Sequence, residues 1–132
     1  MPQTRTSLGL NDANATIPVR NLEAAARFYE DTLGLEPADN QEHGARRYRS
    51  GNSTILVYES QYAGTNRATA VTWELREQVD GIVRDLAAKG VHFEHYDLPD
   101  TRRENDIHIS GDLRLAWLKD PDGNILGLAS RG

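Results

Sequence analysis

Three side chains of the sequence have the chemistry of proton-transfer groups, namely Glu74, Tyr58 and His108. A carboxylate inside an apolar cavity has a raised pKa and can act as a general base, and histidine titrates near neutral pH. A tyrosine hydroxyl can donate a hydrogen bond to a ligand carbonyl. Each residue also has a structural interpretation: Glu74 can pair with Arg114 or lie at a solvated rim, and the other two can be ordinary strand and surface residues. The sequence therefore predicts candidates for catalysis without predicting a reaction.

The composition limits the classes of function that these groups could serve. The chain has 132 residues, 38% of them hydrophobic and 27% charged, which suits one folded domain. The lack of cysteine excludes disulfides, thiolate catalysis and cysteine-ligated metals. A net charge of −5 disfavours nucleic-acid binding, and no apolar stretch has the length of a membrane span. We expect a cytoplasmic protein with a polar tail at residues 1–12, which lacks the apolar region of a signal peptide, and one domain at residues 13–132.

The same order of predicted elements occurs twice along the chain. Strands are expected where apolar residues alternate or run together between turn residues, at 13–19, 35–38, 45–50, 53–60, 68–75, 91–96, 113–118 and 124–129. Helices are expected where apolar residues recur at helical spacing, at Leu22, Ala25, Ala26, Tyr29 and Leu33 and again at Val79, Ile82, Val83 and Leu86. Two β-α-β-β-β modules result, residues 13–60 and 68–130, joined by a linker at 61–67. A polar segment, residues 97–111, interrupts the second module.

This repeat predicts an α+β fold in which two tandem βαβββ modules form a cup-shaped mixed sheet with the helices on its outer face. Val19 and Leu75 are separated by the same number of residues as Gly34 and Gly90. Tandem modules can cover each other's apolar faces. They can also leave a concave face between them, where small molecules commonly bind.

Segments at both ends of this repeat carry the motifs of a known family. The segment ATIPVRNLEAAARFYEDTLGLEP (residues 15–37) resembles the first β-α-β unit of the vicinal oxygen chelate superfamily, which includes glyoxalase I, extradiol dioxygenases and bleomycin-resistance proteins. The segment AWLKDPDGNILGLAS (residues 116–130) resembles its last hairpin, and residues 72–99 resemble the corresponding part of its second module. The resemblance covers residues 13–130 and is specific for the fold, whereas the superfamily hosts many activities on one scaffold.

The resemblance also implies where a catalytic metal would bind. The metal enzymes of the superfamily place histidine and glutamate ligands on facing strands, at positions that correspond here to Asn14, Leu56, Ala70 and Gly127. Alanine, leucine and glycine have no side-chain donor, and asparagine offers one weak oxygen ligand. The sequence therefore predicts no metal and no other cofactor, and Gly127 is expected to clear space at the floor of the cup.

The alternation of side chains along a strand then assigns a ligand-binding face. If the four implied metal positions face the cup, residues two positions away on the same strands face it too. Counting across the Asp-Pro-Asp-Gly turn pairs Gly127 with Ala116, which places Arg114 in the cup and both Trp73 and Trp117 on the helix-packed face. The predicted ligand-binding residues are Asn14, Thr16, Leu56, Tyr58, Ala70, Thr72, Glu74, Arg114 and Gly127.

Two classes of function are compatible with such a site. The resemblance to bleomycin-resistance proteins implies a metal-independent protein that holds a small-molecule ligand in the concave cavity, and it implies a homodimer. The alternative is a metal-free isomerase, cyclase or lyase that uses Glu74, Tyr58 or His108 for proton transfer. A metal-dependent lyase or dioxygenase is disfavoured because the implied ligand positions lack donors, and a purely structural or regulatory role stays open. Neither nucleic acid nor a membrane is expected as a partner.

Overall fold

The computed structural model describes residues 7–10, 13–38, 44–76 and 78–131, so most of the predicted polar tail lies outside the described residues. Its strands are β1 (Ala15–Val19), β2 (Glu36–Pro37), β3 (Ala45–Ser50), β4 (Ser53–Glu59), β5 (Thr69–Glu74), β6 (Phe93–Glu94), β7 (Arg102–Glu104), β8 (Ile107–Ser110), β9 (Leu113–Lys119) and β10 (Ile125–Arg131). Its helical elements are a 3₁₀ turn (Ser7–Leu10), α1 (Leu22–Ala26), a π-helix (Arg27–Thr32) that continues α1, and α2 (Val79–Ala88). None of the helices in these ranges has the length and apolar character needed to cross a bilayer.

Hydrogen bonding among the described residues divides the strands into two sheets. The first has the order β1-β4-β3-β2, and the second has the order β5-β10-β9-β8-β7 with β6 also paired to β9. β1 runs parallel to β4 and β5 runs parallel to β10, while the other neighbours are antiparallel. The edge strands β1 and β5 lie against each other where the modules meet. The α+β class with mixed sheets is therefore confirmed, and the predicted single sheet is split into two.

Side-chain alternation along the strands produces one core and one open face. Ile17 of β1 and Val57 of β4 are almost completely buried. They join a single core to which both modules contribute, including Ala25, Tyr29, Val79, Val83, Leu86, Leu126 and Leu128. The opposite surface of each sheet, called the open face below, includes the exposed residues Thr16, Thr72 and Glu74. Ligands can reach this open face, whereas the other face packs under the helices.

Five residues, 120–124, separate β9 from β10, and the innermost three, 121–123, form the hairpin loop whose length fixes the register. The N–H of Asp120 donates to the carbonyl oxygen of Asn124 over 2.9 Å, which closes the loop. Gly123 has a φ of +91°, the left-handed conformation that common three-residue hairpin loops need at their last position. Gly127 consequently pairs with Trp117, one residue away from the partner that counting across the turn predicted.

A shift of one residue exchanges the two faces of β9. Trp117 therefore lies on the open face, and the prediction that placed it on the helix-packed face is wrong. Ala116 is fully buried in the core, and Arg114 shares its face, so the predicted position of Arg114 in the cup is also wrong. Trp73 does pack against the core, and its indole N–H donates to the hydroxyl oxygen of Ser50 over 2.7 Å.

The carboxylate of Asp120 connects this hairpin to the first module. Its Oδ2 accepts a hydrogen bond from the hydroxyl of Tyr29 over 2.8 Å, and its Oδ1 accepts from the backbone N–H groups of Asp122 and Asn124. Burial, together with the Asp120 carboxylate, raises the pKa of Tyr29 well above its usual value, so its hydroxyl stays a donor. The side-chain amide of Asn124 donates to the carbonyl oxygen of Pro18 in β1 over 2.7 Å. Hydrogen bonds therefore reinforce the core that the modules share.

Part of the predicted polar segment forms the β7–β8 hairpin. Ile107 and Ile109 of β8 are buried in the core, and His108 between them points to the other face. Nε2 of His108 accepts from the N–H of Tyr96 over 2.9 Å, and Nδ1 lies 3.4 Å from the carbonyl oxygen of Leu115. Because an N–H group donates to Nε2, the ring carries its proton on Nδ1 and is neutral. Burial lowers the pKa of His108, which agrees with this state.

The linker contains a glycine that has no room for a side chain. Gly64 has a φ of +77°, and a Cβ atom there would lie 2.1 Å from the carbonyl oxygen of Asp122. We predict that Gly64→Ala lowers the free energy of unfolding by about 2–4 kcal/mol, because it combines a left-handed alanine with a backbone collision. Urea denaturation measures the loss.

The matched control for this substitution is Gly51→Ala. Gly51 also has a left-handed φ, +58°, but a Cβ atom there meets no other atom within 4 Å. We expect this control to lose about 1 kcal/mol, the cost of the backbone conformation alone. Equal losses in the two variants would contradict the close contact between the linker and the β9–β10 loop.

The neutral state of His108 makes the stability of the fold depend on pH. The histidine has a pKa near 6.5 in the unfolded chain and a lower one in the folded protein, so below about pH 6.5 the unfolded state binds more protons. We predict that the free energy of unfolding falls as the pH is lowered from about 7 to about 5.5, and that His108→Gln reduces this slope. Denaturant titrations across this pH range measure both slopes.

The control is His92→Gln, which makes the same substitution at an exposed histidine. The readout is the difference between the slopes of the wild-type protein and the variant. Groups that do not interact with His108 contribute equally to both slopes and drop out of this difference. A slope that His108→Gln leaves unchanged would show that His108 does not stay neutral in the folded protein.

Candidate functional site

A depression of about 790 Å³ lies at one end of the second sheet. The pairing of β10 with its two neighbours places Ala129 between Glu74 of β5 and Leu115 of β9. The small side chain of Ala129 leaves space between these larger neighbours. The residues that form the walls include Glu74, Arg76, Leu113, Leu115, Ala129 and Arg131. Most of these side chains belong to the open face, so the depression is accessible from solvent.

The charged groups around this depression have no partners of their own. In the described part of the chain, the side chains of Glu74, Arg76 and Arg131 make no hydrogen bond or ion pair. All three residues are exposed, and Arg76 has a φ of +56°, which is uncommon for residues other than glycine. Leu113 and Leu115 are half-buried and form an apolar floor. The arrangement can hold the apolar part of a small molecule and contact its polar groups with guanidinium or carboxylate.

An aromatic cluster lies beside the depression on the same open face. The ring of Trp117 contacts the rings of Tyr96 and His108 edge to face, with centroids 5.2 Å and 5.0 Å apart. His108 pairs with Leu115, which connects the cluster to the floor of the depression. Burial and the nearby carboxylate of Glu94 raise the pKa of Tyr96. The Tyr96 hydroxyl therefore stays protonated at neutral pH and is available as a donor.

The three predicted proton-transfer residues lie in three different environments. Glu74 lines the depression. Tyr58 is half-buried on the open face of the first sheet, where it pairs with Pro18 and Ala45. His108 is 1% exposed and both of its ring nitrogens face backbone groups, so a ligand could take its proton only by breaking those contacts. Of the three, Glu74 has the geometry that suits contact with a ligand.

The other predicted ligand-binding residues are divided between the two sheets. The first sheet contains Thr16, Leu56 and Tyr58, and Asn14 directly precedes its strand β1. The second sheet contains Ala70, Thr72 and Gly127. Asn14, Thr16, Ala70 and Thr72 are exposed, whereas Gly127 is buried. Of the whole predicted set, Glu74 is the member found among the residues that form the depression.

Arg114 lies on the helix side of the second sheet. Its Nε and Nη2 atoms donate to the two carboxylate oxygens of Asp80 over 2.9 Å each. Asp80 is in the first turn of α2, where a negative charge interacts favourably with the helix dipole. The two hydrogen bonds from Arg114 fix the orientation of the Asp80 carboxylate. The sequence raised two possibilities for Arg114, a position on the open face and a pair with Glu74. The structure shows neither, because Arg114 lies on the helix side and binds Asp80.

The positions at which the metal enzymes of the superfamily carry ligands do not fit a metal in this chain. Among the residues that the structure describes, no group of three or more histidine, aspartate and glutamate side chains could hold an ion. A Cβ atom at Gly127 would lie 3.0 Å from Oγ1 of Thr72, 3.3 Å from Cγ2 of Thr69 and 3.4 Å from Nε1 of Trp117. The expectation that Gly127 clears space in the cup is therefore wrong, because neighbouring side chains fill that space.

Two arginines of the site, Arg76 and Arg131, were not predicted as site residues because they lie at the ends of strands. Arg76 follows β5 and Arg131 ends β10, both beyond the strands that the pattern predicted. Arg131 continues the ladder by pairing with Leu113, and it therefore shares the face of Ala129. A longer predicted β10 would have placed Arg131 on the open face from alternation alone.

Two further arginines face the open side of the first sheet. Arg49 pairs with Thr54 and Arg47 pairs with Leu56, so each shares its partner's face. The sequence contains the information for this placement, because two residues, Gly51 and Asn52, separate the predicted strands 45–50 and 53–60, and a two-residue hairpin turn fixes the pairing that the structure shows.

Comparison with known proteins agrees with this architecture. The model of the Glyoxalase/Bleomycin resistance protein/Dioxygenase superfamily matches residues 13–128. A glyoxalase family protein from Bacillus anthracis has 17% sequence identity and a TM-score of 0.67, with 100% of both chains covered. The fosfomycin resistance protein FosX from Listeria monocytogenes, solved with Mn(II) and a sulfate ion, has 16% identity and a TM-score of 0.69, with 92% of this chain and 90% of that chain covered.

A glyoxalase/bleomycin resistance protein/dioxygenase from Nocardioides has 16% identity and a TM-score of 0.67, with 98% of this chain and 86% of that chain covered. No curated protein sequence matches the chain significantly. Identities this low show a shared fold and leave the activity of each protein its own. Because the family model covers most of the chain and the fold agrees, this protein belongs to the Glyoxalase/Bleomycin resistance protein/Dioxygenase superfamily.

Proposed function

We propose that the protein binds a small molecule without a metal, in the manner of the bleomycin-resistance proteins, and holds it on the open face of the second sheet. The observation that carries this proposal is the depression of about 790 Å³, which has leucines at its floor and unpartnered charges at its rim. Cavities of roughly 300–1,000 Å³ with apolar walls and a few polar groups are the usual form of small-molecule sites.

The chemistry of the residues supports binding without a metal. Leu56, Ala70 and Gly127 supply no donor at the positions of the family ligands, and the fourth position has only the amide of Asn14. Thr72 and Trp117 occupy the space next to Gly127 that a carboxylate ligand would use. In this proposal the affinity comes from apolar contact and from charged groups further along the strands.

In this proposal the open face of the first sheet also contributes to binding, through a homodimer. Its open face carries the predicted residues Thr16 and Tyr58 together with Arg47 and Arg49. A homodimer could bring this face opposite the depression of a second copy. That assembly stays a prediction from the family resemblance.

Filling the depression should weaken binding. We predict that Leu115→Trp lowers the affinity for N-phenylnaphthylamine, a neutral fluorescent probe, at least about tenfold, because the indole would occupy the floor where Leu115 is half-buried. Fluorescence titration in the presence of EDTA measures the affinity, and we expect EDTA to leave wild-type binding unchanged.

Leu98→Trp is the control, because Leu98 is exposed outside the depression and the substitution adds the same side chain. It should bind the probe like the wild-type protein. Equal affinities of the two tryptophan variants, or loss of wild-type binding in EDTA, would contradict the proposal.

A metal-free enzyme is the second candidate function, and the position of Glu74 favours it. The Glu74 carboxylate lines a depression with an apolar floor and has no polar partner among the described residues. A carboxylate placed in this way can remove a proton from a bound carbon acid, as an isomerase, cyclase or lyase requires. The alternative proton-transfer groups, Tyr58 and His108, lie on the other sheet and in a buried backbone contact, respectively. A metal-dependent lyase or dioxygenase would need donors that the family positions lack.

Turnover distinguishes this candidate from a binding protein. If the protein is such an enzyme, we predict that it converts components of a small-metabolite mixture in the presence of EDTA and that Glu74→Gln reduces the rate at least about a hundredfold. Mass spectrometry of the mixture before and after incubation detects the conversion. Glu36→Gln, which removes an exposed carboxylate outside the depression, is the control. Conversion that persists in Glu74→Gln would remove Glu74 from the mechanism.

A further inference from the structure

We infer that the depression selects ligands in which an anionic oxygen head group, a carboxylate or a phosphonate, is attached to an apolar body. This inference rests on the proposed function, since it names the class of molecule that the same site binds. Its basis is the charge of the described residues that line the depression, among which the guanidinium groups of Arg76 and Arg131 outnumber the carboxylate of Glu74.

The positive charge at this site is not a consequence of the composition. The chain as a whole has a net charge of −5, so a depression lined by more cations than carboxylates does not follow from the overall charge. Other charged residues of β9 are paired: Arg114 binds Asp80, and at the far end of the strand Nζ of Lys119 lies 3.5 Å from Oε1 of Glu94. Arg76 and Arg131, in contrast, make no ion pair with any described residue. Their charge is therefore available to a ligand.

The type of cation points to an oxygen anion. A guanidinium group presents a planar set of N–H donors that matches the two oxygens of a carboxylate or a phosphonate, and it stays charged at all physiological pH values. Arg76 is also held in a left-handed backbone conformation, with a φ of +56°. Residues other than glycine adopt this conformation at a cost of roughly 1–2 kcal/mol, and such strain is concentrated at ligand-binding positions.

The other residues that line the depression indicate the chemistry of the rest of the ligand. Leu113 and Leu115 offer an apolar surface next to the small side chain of Ala129, which suits an aliphatic or aromatic body. The carboxylate of Glu74 lies on the same surface and can accept a hydrogen bond from a hydroxyl or N–H group of the ligand. The best ligand is therefore an organic acid with a compact apolar body and one further donor.

The test compares compounds that share one apolar body and differ in the head group. Naphthylacetate, naphthylmethylphosphonate, naphthylethanol and naphthylethylamine each compete with N-phenylnaphthylamine for the wild-type protein in EDTA. We expect both anions to displace the probe at concentrations at least about tenfold lower than the neutral alcohol, and the amine to be weakest. Added salt should weaken the anions and leave the alcohol unchanged. The ratio between the two anions assigns the head group.

Substitutions of the two arginines complete the test. Arg76→Gln and Arg131→Gln should each weaken displacement by the anions about tenfold without changing displacement by the alcohol. Arg84→Gln is the matched control, because Arg84 is exposed on α2 and does not line the depression. Thermal denaturation checks that the variants remain folded, and the two arginine variants give independent readings.

The outcomes separate this inference from the proposed function. If the alcohol and the anions displace the probe equally, or if neither arginine variant changes the anions, the inference is overturned while the binding function stands. If the probe does not bind, or if Leu115→Trp binds it normally, the proposed function fails and the inference fails with it. Selective loss of anion affinity in Arg76→Gln or Arg131→Gln, but not in Arg84→Gln, supports the inference.

Discussion

The buried carboxylate of Asp120 is the interaction on which the rest of the structure depends. It is 5% exposed, and its two oxygens accept hydrogen bonds from the Tyr29 hydroxyl, from the Asn124 side chain and from the N–H groups of Asp122 and Asn124. Leaving a buried acceptor without its hydrogen-bond donors typically costs about 1–3 kcal/mol, and more where the acceptor is charged, so the loop must keep its length and the π-helix must keep Tyr29 in place. One side chain thus sets both the docking of the modules and the register of the last hairpin.

That register decides the chemistry of the open face. β9 has apolar side chains on both of its faces, so either face could be buried as far as hydrophobicity is concerned. A slip of one residue would exchange Leu115 and Trp117 with Ala116 and Leu118, which are fully buried. The indole would then have to fit in the core, and the depression would lose its floor. The hydrogen bonds of Asp120 exclude this arrangement because they fix the loop at three residues.

The same physics explains which parts of the fold could be predicted from the sequence. In β1, buried Ile17 and Val19 alternate with Thr16 and Pro18, so one face has a clear preference, and the predicted open-face position of Thr16 agrees with the structure. In β9 the hydrophobic pattern does not favour either face. The predicted register therefore depended on the turn sequence, which fits loops of more than one length. The β7–β8 hairpin was missed because β7 consists of three charged residues and its pairing depends on β8, whose buried isoleucines flank His108.

For the candidate site, too, prediction from the sequence is limited by what strand periodicity can assign. The residue types alone predict that Leu56, Ala70 and Gly127 offer no side-chain donor to a metal, because side-chain chemistry does not depend on register. Arg76 and Arg131 could not be placed in the depression in this way, since they lie where the predicted strands had already ended. Strand periodicity assigns a face only while the ladder continues, and the ladder continues to Arg131. Neighbouring side chains fill the space at Gly127, so the depression lies two residues further along β10, at Ala129, between the unpaired carboxylate of Glu74 and the apolar side chain of Leu115.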